Sequence, residues 1–288
     1  MSSSALILLP TALDPDSDPA RSLPGPVLSK LHTLSHFVVE DAKSARAWLK
    51  RCAWPKPLPE ALMLVWDEHT AQSEPQSKVV IRQVLAWLEA GVSVGLLSEA
   101  GLPAIADPGQ ALIAAVHAAG YPVRPQVGPS SLMLALMASG LNGQHFEFKG
   151  YLAAAGDERD AALIAMERLN AQDGRSLLWI ETPYRNEAMM TSVTRVLKPE
   201  TLLCVACALG TEKETIHVKT VAQWRQSAWT PGREPCVFIL GSAMQSMHPR
   251  ATARSGGDLS RHPTLKETRL AKPAGRRQGL KTHRRNHT

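Results

Sequence analysis

The sequence predicts an α/β protein of two α/β domains, followed by a basic C-terminal tail. Three observations lead there. In the first half, short apolar runs alternate with amphipathic helical stretches separated by Gly and Pro, the pattern of strands buried in a parallel sheet. In the second half, strands that alternate apolar and polar residues are mixed with helices, which suits antiparallel pairing. From Pro249 to Thr288 there is no aromatic residue and almost no apolar run, so this stretch reads as disordered by composition. The expected domains are 1–127 and 128–248, joined near Val127-Gly128, with the tail at 249–288.

The elements follow in order. Ala5 to Leu9 is an apolar strand that ends in Pro10-Thr11-Ala12-Leu13 and a Pro-rich loop. A helix from Val27 to about Leu34 precedes the strand Phe37-Val38-Val39, which runs into Glu40-Asp41. These carboxylates suit a base or hydrogen-bond acceptor at a cleft, or Asp41 caps the helix around Ser44 to Lys50. Leu62 to Trp66 is a strand, and Asp67-Glu68-His69-Thr70 reads as a polar loop with His69 solvated. Val80, Ile81, Val84, Leu85 and Leu88 have helical spacing within Lys78–Ala90. The strand Val94 to Leu97 then opens into the loop 98–103. The turn Asp107-Pro108-Gly109 starts a helix to about Ala119, and a short strand spans Tyr121 to Val127. Gly128-Pro129-Ser130-Ser131 starts a helix over Leu132 to Met137. Beyond it come strands at Phe146–Phe148, Leu177–Ile180, Leu202–Leu209, Thr215–Val218 and Cys236–Gly241. Helices are expected at Arg159–Asn170, Glu187–Leu197 and Ala222–Trp229.

Composition narrows the function classes. With 288 residues, 44% of them hydrophobic, the chain has the material for a sizeable core, but no apolar run reaches the roughly 18 residues of a membrane span. The N-terminus lacks a basic n-region and reads as a first strand rather than a signal peptide. The net charge of +6 is unevenly placed. The tail holds 11 Lys or Arg and two Asp or Glu; of the 32 basic and 26 acidic residues in the chain, 21 and 24 therefore remain in 1–248, a net of −3. The tail reads either as a solvated, dispensable segment or as an electrostatic tether to RNA, without aromatic side chains to stack on bases. Four cysteines and no secretory signal give a reduced, cytoplasmic protein as the default. Cys204 and Cys207 form a C-x-x-C, but within a strand an offset of three puts them on opposite faces, so they read as small buried side chains.

The loops of 94–131 carry the chemistry. Gly101, Gly109 and Gly128 allow close backbone approach to a ligand. Ser130 and Ser131 open a helix whose amides and hydroxyls suit a carboxylate. Glu99 or Asp107 can accept from ribose hydroxyls or an amine. The spacing fits neither G-x-G-x-x-G nor a P-loop, so the residues themselves say only a nucleotide-like ligand.

Four motifs, SEAGLPAIADPG (98–109), VGPSSLMLALMASGLNGQ (127–144), FEFKGYL (146–152) and ETPYRN (181–186), together resemble the tetrapyrrole-methylase (class III) fold of S-adenosylmethionine-dependent methyltransferases. Within that fold the likeness is to the ribosomal small subunit methyltransferase I group and covers about residues 5–241. The resemblance implies a cofactor cleft between two α/β domains, S-adenosylmethionine as cofactor, and no metal. It places the cofactor against Pro10 and Thr11, against Ser98, Glu99, Ala100, Gly101 and Pro103, against Ser130 and Ser131, and against Cys207, Ala208, Leu209 and Pro235. It also implies ribose 2′-O-methylation of small-subunit ribosomal RNA by a cytoplasmic homodimer with no membrane partner. Glu40, Asp41 and Asp67, at strand ends, are the candidate catalytic carboxylates. The substrate-side elements depart from the family pattern: Glu-Asp-Thr-Arg becomes Glu40-Asp41-Ala42-Lys43, and the Asn-Glu loop becomes Trp66-Asp67-Glu68-His69-Thr70. Two other readings therefore stand beside it. One is methylation of a tetrapyrrole-like or other anionic metabolite, and the other is a non-catalytic cofactor- or RNA-binding protein.

If Glu99 accepts a hydrogen bond from the cofactor, Glu99→Ala is expected to weaken S-adenosylhomocysteine binding by about 1.5–3 kcal/mol, the range for a charged hydrogen bond. Calorimetry reads this directly, and unchanged affinity in a folded variant would make Glu99 a solvated turn residue.

Overall fold

Short apolar strands, most of them buried on both faces, organise the described residues into two five-stranded sheets. The computed structural model describes residues 4–242; the basic tail lies outside the described residues. The first sheet contains β1 (Leu6–Leu9), β2 (His36–Val39), β3 (Leu62–Val65), β4 (Val94–Leu97) and β5 (Val123–Pro125). Its order is β3-β2-β4-β1-β5, and every pairing is parallel. Such a sheet is covered on both faces because each crossover lays a helix on it. Here α1 (Gly25–His32) and α2 (Ala42–Arg51) cover one face, where Val27, Leu31, Trp48 and Leu49 pack with Ile7, Leu9, Phe37 and Val39. On the other face, α4 (Glu74–Glu89) and α5 (Gln110–Ala118) bring Val84, Leu88, Leu112 and Val116 against Leu6, Val38 and Leu96. Successive strand residues thus serve opposite layers.

Two local expectations are corrected. The polar stretch after β3 is a short helix, α3 (Glu68–Gln72), rather than a loop. Asp67 is its N-cap and accepts from the Thr70 amide at 2.7 Å, which supplies a partner to an otherwise orphaned donor. The strand expected over 121–127 shrinks to Val123–Pro125, because Pro122 and Pro125 have no N–H for a ladder and confine it to the sheet edge.

The second sheet contains β6 (Phe146–Tyr151), β7 (Ser176–Glu181), β8 (Leu202–Cys207), β9 (Thr215–Thr220) and β10 (Cys236–Gly241), in the order β6-β7-β10-β8-β9. Only β6 and β7 pair in parallel; the other neighbours are antiparallel. One face packs on α7 (Gly156–Asp173) and α8 (Asn186–Val196) through Leu163, Met166, Met189 and Val193. That layer includes Trp179 stacked on Phe238, with centroids 5.4 Å apart. The other face packs on α6 (Ser131–Ser139) through Leu132, Ala135 and Leu136. A short helix, α9 (Val221–Arg225), follows β9 behind a capping box of Thr220 and Gln223. The division expected at 127/128 falls in the segment joining β5 to α6. No helix of the described residues is long and apolar enough to cross a membrane.

The cysteines divide as the strand period requires: Cys204 faces the α6 layer and Cys207 the α7–α8 layer. The expectation that all four are reduced is corrected, because Cys207 is disulfide-bonded to Cys236. The two are directly opposed in the β8–β10 register, so pairing of the strands brings the sulfurs together. Cys52 and Cys204 are free and buried, and burial pushes each thiol up to about 12.

In denaturant without reductant, two of the four thiols are therefore expected to react with a thiol reagent, and four after reduction. The Cys207→Ser, Cys236→Ser double variant is expected to lose about 2–4 kcal/mol, as for a bridge closing a loop of this size. Four reactive thiols before reduction would show that the bond is absent.

Candidate functional site

In a parallel sheet every strand ends at the same edge. The neighbours β2, β4 and β1 therefore deliver Glu40-Asp41, the loop 98–109 and the loop from Pro10 side by side, where open α/β sheets bind ligands. Two of these loops are joined backbone to backbone. The Thr11 amide donates to the Gly101 carbonyl at 2.9 Å, and Ser98 Oγ donates to the same oxygen at 3.1 Å. Gly101 sits at φ +77°, a conformation that a side chain would strain. The β5–α6 connection crosses the end of β1 so closely that a Cβ at Gly128 would lie 2.2 Å from Pro10 Cβ.

Between these loops and the ends of the second sheet lies a cavity of about 1030 Å³. Its first wall includes Leu13, Asp14, Glu99, Ala100, Asp107 and Ser131, and its second wall includes Tyr151, Glu181, Ala208, Leu209, Pro235 and Cys236. A smaller cavity of about 290 Å³ adjoins it, with Pro15, Asp16 and Glu99 common to both. Thr11, Glu40, Asp41, Ser44, Trp48 and Ser98 line this smaller space. The second wall is tied in place by the Ala208 amide donating to Pro235 O at 3.0 Å. Asn186 Nδ2 supports the same segment by donating to Gly232 O and Glu234 O. Ala104, Ala106 and Ala208 all hold positive φ, at 64°, 62° and 52°. A non-glycine residue in that region costs on the order of 1–3 kcal/mol, and such outliers gather at ligand sites.

The chain is 34% identical over 216 residues to a ribosomal RNA small subunit methyltransferase I of Synechocystis sp., an alignment covering 74% of this chain and 71% of that one. The chain belongs to the ribosomal RNA small subunit methyltransferase I family. The relative of the same name from Xylella fastidiosa is 30% identical over 192 residues, covering 67% of this chain and 65% of that one. For the relative from Escherichia coli O157:H7, the values are 31% over 163 residues, 57% and 54%. No protein-family model matches the chain. Among solved structures, diphthine synthase aligns with a TM-score of 0.59 at 12% identity, covering 83% of this chain and 90% of that one. The methyltransferase CobJ aligns at 0.53 and 18%, covering 84% and 95%. At such identities these two neighbours share the fold of this rRNA small subunit methyltransferase I family member.

Within this family member, the residues expected at the cofactor gather on both walls. Thr11, Ser98, Glu99, Ala100, Ser131, Ala208, Leu209 and Pro235 line one or other cavity. Cys207 is bonded to the lining residue Cys236. Pro10 lies beneath Gly128, and Gly101 sits in the backbone bridge to Thr11. Pro103 lies behind the loop, against a small void shared with Glu40 and Asp107. Ser130 caps α6 with its hydroxyl. The three carboxylates expected in catalysis separate. Asp67 lines neither cavity and caps α3. Asp41 lines the smaller cavity, but its Oδ1 accepts from the Lys43 and Ser44 amides as the cap of α2. Those N–H groups, Ser44 first, hold its carboxyl low, as the Thr70 amide does for Asp67. Both therefore make poor proton acceptors. Glu40 is different: it is half-buried, accepts from the Glu99 amide at 3.3 Å, and burial raises its carboxyl.

Asp107, outside the set of carboxylates expected in catalysis, lies beside Glu40, and the two border the same small void. Burial, and next the charge of Glu40, push Asp107 up to about 7. Asp107 Oδ2 is buried without a partner. Across the cleft Tyr151 faces the same group: burial, then the charges of Asp107 and Glu181, raise its phenol. Glu181 is itself buried and bonded to Arg185 at 2.8 Å. The Asp-Pro-Gly turn placed Asp107 at a helix start, but its coupling to Glu40 requires the adjacency of β2 and β4 and leaves no local sequence signal.

Asp107 titrates near 3.8 in an unfolded chain and near 7 here, so the folded state holds the proton more tightly. The associated stability is fully present below 3.8 and is lost as pH rises through about 7. Asp107→Asn, which removes this titration, is expected to raise the melting temperature relative to the parent protein at about pH 8 more than at about pH 5. An equal offset at both would show that Asp107 is not perturbed.

Proposed function

We propose that this chain transfers a methyl group from S-adenosylmethionine to a ribose 2′-hydroxyl of small-subunit ribosomal RNA. The observation that carries this reading is the cavity between the two sheets, lined by the motif loops of a family member. Its roughly 1030 Å³ lies at the top of the ~300–1,000 Å³ usual for small-molecule sites, leaving room for part of an acceptor beside a cofactor. The residues present fit the cofactor. Thr11 Oγ1 and Asp107 Oδ2 are buried without partners, one suited to a carboxylate or amine and the other to a hydroxyl donor. Thr11, Glu99, Ala100 and Ser131 would hold it from one wall, and Ala208, Leu209 and Pro235 from the other.

The bound cofactor supplies a methyl already activated on a sulfonium, so the protein's task is alignment and a destination for a proton. A ribose hydroxyl is a weak nucleophile and needs an acceptor for its proton. In this reading Glu40 takes that proton: it is a carboxylate raised by burial that lines the smaller cavity and accepts from the amide of Glu99, a residue common to both cavities. Glu99 accepts from Ser44 Oγ at 2.6 Å, which fixes the rim of the smaller cavity beside Glu40. We place the protein in the cytoplasm as a homodimer on the same family reading.

Glu40→Gln is expected to bind S-adenosylhomocysteine as the parent does, by calorimetry, and to lose about 10²–10⁴-fold in kcat, the usual share of general base catalysis. Mass mapping of small-subunit rRNA from a deletion strain is expected to show one ribose methyl missing. Unchanged rRNA would overturn the proposed substrate, and no binding at millimolar ligand would overturn the cofactor.

A further inference from the structure

We propose that the outer face of α2, carrying Lys43, Arg46 and Lys50, docks the phosphodiester backbone of the RNA acceptor and leads it to the Glu40 end of the cleft. This rests on the methyl-transfer reading and adds to it the surface that holds the polymer. The helix is sharply two-sided. Ala45, Trp48 and Leu49 are buried, whereas Lys43, Arg46 and Lys50 stand on the opposite side at i, i+3 and i+7, all exposed. At 1.5 Å per residue they form a cationic track roughly 10 Å long. Exposed Ala47 lies beside it and leaves room for close approach.

Helix stability accounts for Lys50, which lies in the last turn of α2, but not for the whole stripe. Cations favour the C-terminal turn of a helix, but Lys43 sits in the first turn, which holds no acidic residue and where the helix dipole opposes positive charge. Among the described residues none of the three forms an ion pair, whereas neighbouring Arg51 is taken by Asp16. Among the described residues their only side-chain hydrogen bond runs from Arg46 to the Ala42 carbonyl of its own helix.

Position then selects the partner. The cap of α2 is Asp41, next to Glu40, and Ser44, Trp48 and Arg51 line the smaller cavity on one flank of the helix. A chain lying along the stripe therefore runs into the carboxylate pair. Protein interfaces centre on aromatic and apolar side chains, but no exposed large apolar residue lies on α2. A purely cationic, polar face suits a phosphate backbone. The net −3 of residues 1–248 averages over a surface that is locally positive beside the cleft.

The test uses the full-length chain, tail included, and a short labelled single-stranded RNA titrated across a salt series. Lys43→Gln, Arg46→Gln, Lys50→Gln is compared with Arg82→Gln, Arg168→Gln, Lys198→Gln, which removes the same charge from exposed positions elsewhere. The α2 variant is expected to bind RNA more weakly and to reduce the log–log salt slope by about 2, some 0.7 for each of three phosphates. Its melting temperature and S-adenosylhomocysteine affinity should be unchanged, and the control variant should keep the parent slope. Equal losses in both variants, or no loss in the α2 variant, would overturn the proposal, as would polyglutamate competing as well as RNA. Binding is read without turnover. An α2-dependent slope without a ribose methyl in rRNA would count against the methyl-transfer reading alone, and a ribose methyl with an unaltered α2 slope against the docking surface alone.

Discussion

Pro10 occupies the space that any side chain on residue 128 would need, and the rest of the cleft is hung on that approach. With glycine there, the chain leaving β5 passes directly over the end of β1 and turns into α6, whose apolar face packs on the second sheet. Ser131 is thereby set at the floor of the cavity opposite Ala208 and Pro235. The bridge between Thr11 and Gly101 fixes the neighbouring loop to the same strand end. Close backbone contacts of this kind are rigid because nothing in them can change rotamer. A site that must align a sulfonium, a methyl carbon and an oxygen depends on such rigidity.

Around that frame the protein concentrates costs. Three of the four alanines with left-handed backbone lie here, Ala53 after α2 being the fourth, and Glu40, Glu99 and Asp107 crowd at one strand edge with Tyr151 opposite. None of this favours folding; it is offset by two sheets, each buried on both faces. Strain and like charge gathered in one place, with well-packed layers elsewhere, is the distribution expected of a site arranged for binding rather than for stability.

Much of this was legible in the residues. Val94–Leu97 and Cys236–Gly241 form strands as read, because an apolar run bounded by Gly, Pro or charged residues is a local signal. The loop chemistry of Ser98–Pro103 and Ser131 is likewise local, and of these residues Ser98, Glu99, Ala100 and Ser131 line the cavities. What escaped depends on partners distant in sequence. Asp41 and Asp67 looked equivalent to Glu40 as carboxylates after apolar strands, but the next three residues turn into helices and use both as caps. Asp107 acquires its character only when β4 lies beside β2. Cys207 has Cys204 three residues away in sequence, whereas its partner, Cys236, is fixed by the antiparallel register with β10.

That bond changes the connectivity of the second sheet. Cys207 and Cys236 stand 29 positions apart, and between them lie the edge strand β9, α9 and two of the segments that line the far wall of the cleft. The polymer there is a closed ring rather than a line. A single peptide cleavage anywhere in 208–235 opens the ring without releasing a fragment. The edge strand cannot peel away by one end, as edge strands usually fray, but must swing out as a lobe hinged at both of its roots. Those roots are Ala208 and Pro235, which both line the cleft and are joined by the Ala208 amide donating to the Pro235 carbonyl, so the ring is closed a second time at its base.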